Sequence, residues 1–189
     1  MRQCFSFLLF VLLAMGCSHP VPKPSAFYRI HLPEKKEIKF QTGFSPFSFV
    51  YNSVARVDFD STGKDVSWLV FDYPLFQAKV LCTYYAIPMG GFRKLAEESH
   101  TFVYRHSVKA QSIGENRISL PEKRVYGLFY TLKGEVATPV QFMVTDSVRH
   151  MFRGALYIDC VPNPDSLKPV VSYIKADMQR VLNSIKWEK

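Results

Sequence analysis

Apolar and polar residues alternate with a period of two through much of the first half of the chain, the spacing of strands that bury one face. Tyr28, Ile30 and Leu32 share one side of residues 26–32, and Phe47, Phe49 and Tyr51 share one side of residues 47–51. Ala55, Val57 and Phe59 do the same over residues 55–59. Trp68-Leu69-Val70-Phe71 is apolar at every position, which predicts a central strand covered on both faces. Asp72-Tyr73-Pro74 closes that strand, because proline lacks the N–H a central ladder needs. A further strand is expected over residues 76–86.

Two stretches change to a helical period. Phe92, Leu95, Phe102, Val103 and His106 predict a helix over residues 92–107. Leu167, Val170, Val171, Ile174, Met178, Val181, Leu182 and Ile185 predict a second. Asp165 or Ser166 is its expected N-cap, and Pro169 is tolerated in the first turns. Between the helices, strands are expected near 110–119, 123–132, 138–145 and 149–161, with turns at Lys133-Gly134 and Asp146-Ser147. This order predicts an α+β fold, an antiparallel sheet with two main helices, the last lying across the sheet.

The N-terminus reads differently. Arg2 precedes an apolar run from Phe5 to Met15. At about 1.5 Å per residue it reaches roughly 17 Å, short of a ~30 Å hydrocarbon core. It is therefore expected to be a signal-peptide core covering residues 1–16. Leu13-Ala14-Met15-Gly16-Cys17 leads small residues into a cysteine, the pattern of bacterial lipoprotein processing, in which the thiol accepts diacylglycerol. Ala14 stands where leucine is commoner, and an ordinary secretory signal is the alternative. Several acyl chains hold durably where one binds marginally, at about 0.8 kcal/mol per buried methylene. Lipidation of Cys17 makes the membrane the first expected partner. Pro20, Pro22 and Pro24 then predict an extended spacer within residues 17–25, and residues 26–189 a single globular domain. Ser18 is not the aspartate of the commonest inner-membrane retention signal, and no acidic cluster follows Cys17. In a two-membrane bacterium, which only the family resemblance given below implies, the expected address is the periplasmic face of the outer membrane.

Composition adds little to function. With 48% hydrophobic and 15% aromatic residues, the chain has the makings of a core. The formal charge of +8, from which signal cleavage removes only Arg2, would rarely meet nucleic acid outside the cytoplasm. Anionic lipid, cell-wall polymer or acidic proteins are the available counterparts. Of four cysteines, Cys4 leaves with the signal. Cys82 and Cys160 both fall on apolar faces, where pairing and two buried thiols are equally compatible.

Chemistry is sparse. His100 and His106 lie on different helix faces, and His-Glu-x-x-His, Gly-x-Ser-x-Gly and phosphate-binding glycine loops are absent from the sequence. Neither metal, cofactor nor enzyme activity is expected. The densest polar cluster is the turn around Asp146, Ser147, Arg149 and His150, followed by Arg153. It is a candidate partner-binding tip, although Asp-Ser is also a turn pair that bonds its own backbone.

Several of these stretches resemble the gliding motility lipoprotein GldD family of Bacteroidota. They are Cys17, Pro22-Lys23-Pro24, Pro46-Phe47-Ser48-Phe49, Asp72-Tyr73-Pro74 and Val125-Tyr126-Gly127. More specific are Gln141-Phe142, Val144-Thr145-Asp146-Ser147, His150, Arg153-Gly154-Ala155-Leu156-Tyr157, Pro162-Asn163, Asp165-Ser166 and Lys186-Trp187. The resemblance implies an outer-membrane lipoprotein needed for gliding and linked to type IX secretion, with other envelope proteins as partners. It implies no catalytic site. A weaker likeness to the PsbP/Mog1 type of sandwich concerns the fold. The competing readings are an envelope module that binds lipid or cell-wall polymer and, third, a hydrolase.

Overall fold

A computed structural model describes residues 30–61, 63, 65–106, 109–159 and 164–188. The strands are β1 (Glu37–Phe40), β2 (Phe47–Asn52), β3 (Arg56–Asp60), β4 (Val66–Tyr73) and β5 (Ala78–Ala86). Helix α1 (Phe92–His106) follows, then β6 (Ala110–Leu120), β7 (Val125–Gly134), β8 (Val140–Thr145) and β9 (His150–Ile158). Helix α2 (Pro164–Ser184) and β10 (Lys186–Trp187) close the chain.

Seven strands pair in the order β3-β4-β5-β9-β8-β7-β6, and β1-β2-β10 make a smaller sheet. Every described pairing is antiparallel. The alternation read from sequence sets the faces. Leu69, Phe71 and Tyr73 of β4, Val80, Cys82 and Tyr84 of β5, and Phe152 and Leu156 of β9 all turn into one core. Val170, Ile174, Met178, Val181 and Leu182 of α2 meet them from above, with Phe47 and Phe49 of β2 beside the helix. Their i, i+4, i+8 spacing puts this stripe on one side of the helix. Burial of such side chains is worth about 1.5–3 kcal/mol each. The rings interlock: Phe47 lies 5.1 Å from Phe152 and 5.5 Å from Tyr84.

Helix α1 packs on the opposite face. The Ser99 hydroxyl reaches the Met151 sulfur at 3.8 Å, and Val103 joins Tyr130, Leu132 and Val136 in a second, smaller cluster. The layers are thus helix, sheet, helix, and the predicted α+β class with two main helices and an antiparallel sheet is the observed one.

The departures have physical causes. Residues 30–36 form no strand; the pairing begins at Glu37, where the chain reaches the free edge of β2. Residues 26–29 lie outside the described part. Helix α2 begins at Pro164, so Asp165 sits in its first turn instead of capping it, consistent with proline's fixed φ at a helix start. Single 3-10 turns at Pro74–Phe76 and Pro121–Lys123 end on Gln77 and Arg124 in left-handed conformation. Strand β4 is paired on both sides but, among the described residues, covered on one face only, and Trp68 is 50% exposed.

Candidate functional site

The β8–β9 turn is built by one carboxylate. Asp146 Oδ1 accepts the backbone N–H groups of Val148, Arg149 and His150 at 2.9, 2.8 and 2.9 Å. Ser147 takes a left-handed φ of 67° and donates its N–H to Thr145 Oγ1 at 2.8 Å. Burial pushes the Asp146 carboxyl up, but the three donors and His150 outweigh it and hold it below the usual aspartate range. This carboxylate is buried and occupied, so Asp146 organises the turn, while Ser147, Val148 and Arg149 are its exposed tip.

The remaining sequence candidates part company across the sheet, because residues three apart on a strand face opposite ways. His150 shares the core side with Phe152; its Nδ1 lies 2.8 Å from Tyr84 Oη. Its ring stacks on Trp187, centroids 5.2 Å apart. The Trp187 indole N–H in turn donates to the Arg124 carbonyl at 3.1 Å. Burial, with Asp146 adding, holds the Tyr84 hydroxyl up at about 12. Arg153 points to the other face, where Nη2 donates to Tyr85 Oη at 2.7 Å. Its guanidinium lies 5.1 Å from the Tyr85 ring and 5.2 Å from that of Phe102. The five residues of the proposed tip therefore do not converge on one surface.

A polar cluster that the sequence did not announce sits under α2. Asp177 is fully buried. Its Oδ1 accepts from Arg180 Nη1 at 2.8 Å and Asn52 Nδ2 at 3.4 Å, with Lys35 Nζ at 3.5 Å; Oδ2 accepts from Tyr73 at 3.3 Å. Tyr173 Oη accepts from Asn52 Nδ2 at 2.9 Å and donates to the Pro33 carbonyl at 3.0 Å. Arg180 also holds Glu37 at 3.0 Å. Burial and the Asp177 charge drive the Tyr73 hydroxyl far above its ordinary value, so it stays protonated as a donor. The whole constellation is satisfied internally and ties residues 33–37 to the helix. Its arrangement is that of a clasp, and among the described residues no buried side-chain N or O atom lacks a partner. A lone aspartate in the apolar stripe Ile174-Met178-Val181 was the available signal.

Strands β3, β4 and β5 supply a third feature. Helices with side chains are about 10–12 Å wide and strands about 4.8 Å apart, so one helix covers roughly two strands. Helix α1 lies over β9 and β7, through Met151, Arg153 and Tyr130. Among the described residues, no helix covers the same face of β3–β5. Trp68, Val70 and Leu81 line it beside a groove of about 450 Å³ that reaches Phe102 of α1. Trp68 is 50% and Leu81 45% exposed. The register places Asp58 opposite Val70 and Asp60 opposite Trp68 on the edge strand.

Cys82 is a free, buried thiol opposite Gly154, and burial pushes its pKa up. Cys17 and Cys160 lie outside the described residues. Among the described residues no three His, Cys, Asp or Glu side chains converge as metal ligands. No helix there is long and apolar enough to cross a membrane.

The fold is an α+β layered domain in which the Asp146 and Asp177 carboxylates are engaged by the protein's own donors. The chain belongs to the gliding motility lipoprotein GldD family, whose sequence pattern matches residues 17–187. It is thereby a gliding motility lipoprotein associated with the cell envelope. Comparison with curated proteins finds no match. Among solved structures, it is similar to the solution structure of cyanobacterial PsbP (CyanoP) from Synechocystis sp. PCC 6803. The TM-score is 0.49 at 12% identity, over 88% of this chain and 99% of that one.

Proposed function

We propose that this protein is a non-enzymatic accessory component of the gliding motility and type IX secretion machinery, tethered to the periplasmic face of the outer membrane. In this reading residues 1–16 are the signal peptide and Cys17 carries the acyl chains. Residues 17–25 are the spacer, and residues 26–189 form the domain that docks onto envelope partners. Family membership supports the setting. The single observation that carries the docking role is the uncovered β3–β5 face, where Trp68 and Leu81 are exposed. Large exposed apolar side chains next to one another mark interaction sites. Asp58 on the adjoining edge strand suits a partner segment that is apolar on one side and carries lysine or arginine along its flank. An amphipathic helix laid along this apolar face is the partner segment we propose.

The test is complementation of a deletion strain with a Trp68→Glu, Leu81→Glu double variant. The reading expects the variant to accumulate in the membrane with unchanged thermal stability, yet to restore neither gliding nor adhesin secretion. Full restoration of both would refute the docking role of this face.

A further inference from the structure

A second cavity, of about 520 Å³, lies at the other end of the sheet between β7 and the first turns of α2. Its apolar lining includes Leu132, Leu167 and Val171, and three lysines join it, Lys133, Lys168 and Lys175, against one acid, Asp165. Lys175 is half-buried, and its ammonium donates to the Thr131 hydroxyl at 3.0 Å and lies 5.8 Å from the Phe129 ring. None of the described ion pairs includes it. A part-buried lysine ordinarily keeps its ammonium in water or pairs it with a carboxylate. Here a neutral hydroxyl and an aromatic face hold it, and the opposite charge is left to come from outside. The volume falls within the range of small-molecule sites, which are mostly apolar with a few placed polar groups.

From this juxtaposition we infer that the cavity binds a single-chain anionic amphiphile, a fatty carboxylate or alkyl phosphate. Its head group sits among Lys133, Lys168 and Lys175 and its chain lies along Leu132, Leu167 and Val171. Charge-assisted bonds from the lysines select the head, and burial of methylenes supplies most of the affinity. The site is separate from the β3–β5 face, so either can fail without the other.

The experiment uses the full mature chain with Cys17→Ser, soluble without detergent, and titrates it calorimetrically with four probes below their micellar concentrations. The probes are dodecyl phosphate, laurate, decyl maltoside and inorganic phosphate. Dodecyl phosphate and laurate are expected to bind one per chain, with decyl maltoside and inorganic phosphate at least about a hundred-fold weaker. Lys175→Gln and Lys168→Gln should each weaken dodecyl phosphate about ten-fold or more, while Lys79→Gln leaves it unchanged. Lys168 is exposed, so its variant keeps the test valid if Lys175→Gln fails to fold. Phosphatidylglycerol vesicles form the second arm: competition with dodecyl phosphate assigns a bilayer lipid as the source, and no competition assigns a free amphiphile. Equal binding of decyl maltoside, inorganic phosphate as tight as dodecyl phosphate, unaltered affinity in Lys168→Gln, or no binding of any probe would overturn the inference.

Discussion

The imidazole of His150 lies flat on the indole of Trp187, with the two planes 5° from parallel. This stack joins the start of β9 to β10, whose partner is β2, so it fastens the C-terminus across the two sheets. Burial pushes His150 below the ordinary histidine value; Asp146 opposes the shift, and Arg149 and Arg124 add to it. The unfolded chain therefore takes up the proton first as pH falls. The contribution of the neutral ring is complete above about pH 6.5 and is lost as pH drops through the folded-state value. Wild-type protein should lose thermal stability between pH 7.5 and 5.5, and His150→Gln should lose less over the same interval. Parallel melting curves for the two proteins would exclude this linkage.

Removing the Asp146 carboxylate orphans three backbone donors in a part-buried turn. Asp146→Ala is expected to cost about 2 kcal/mol in urea unfolding. Asp146→Asn keeps an acceptor oxygen and should cost less, while supporting gliding at the wild-type level. Loss of gliding in a stably folded Asp146→Asn protein would return the turn to the list of docking residues.

Asp177 makes a sharper prediction. Its loss leaves Lys35, Arg180, Asn52 and Tyr73 facing an empty, buried site. Asp177→Ala should destabilise the fold by about 3–5 kcal/mol, the range for breaking a buried charge cluster from one side. Because this carboxylate holds Lys35 directly and orients Arg180, which holds Glu37, amide exchange over residues 33–37 should accelerate more than in β8 or β9. Uniform acceleration would mean that the clasp has no special hold on that segment.

Gly154 faces the core between the Phe142 ring and Cys82 Sγ, each within 3 Å of where a β-carbon would stand. Gly154→Ala should cost about 1–3 kcal/mol by overpacking. Its register opposite Cys82 leaves that thiol in the core, and we read it as unpaired. Non-reducing peptide mapping should recover Cys82 and Cys160 as free thiols; recovery as a linked pair would contradict that reading.

Much of the layering was legible because period-two and period-3.6 patterns encode which face meets the core. The even-numbered set from Ala78 to Tyr84 and the stripe from Val170 to Leu182 fall where periodicity puts them. Burial of a strand's second face is not encoded in the strand itself. The apolar run at Trp68–Phe71 suggested cover on both sides, but the cover depends on where α1 crosses, which non-local packing decides. Strands β1 and β10 are four and two residues long, too short to carry a period. The Asp177 clasp draws on residues 35, 52, 73 and 180, brought together only by the fold. The turn at Asp146-Ser147 was legible in its structural role, since its bonds are local.

The docking claim is tested most directly by placing a photo-crosslinking amino acid at position 68 or 81 in living cells, with position 116 on the far edge strand β6 as the control. The account predicts adducts with an envelope protein at 68 and 81, absent at 116, in cells whose motility the substituted protein still supports. Adducts at 116 alone, or none at 68 and 81 while motility is intact, would contradict it.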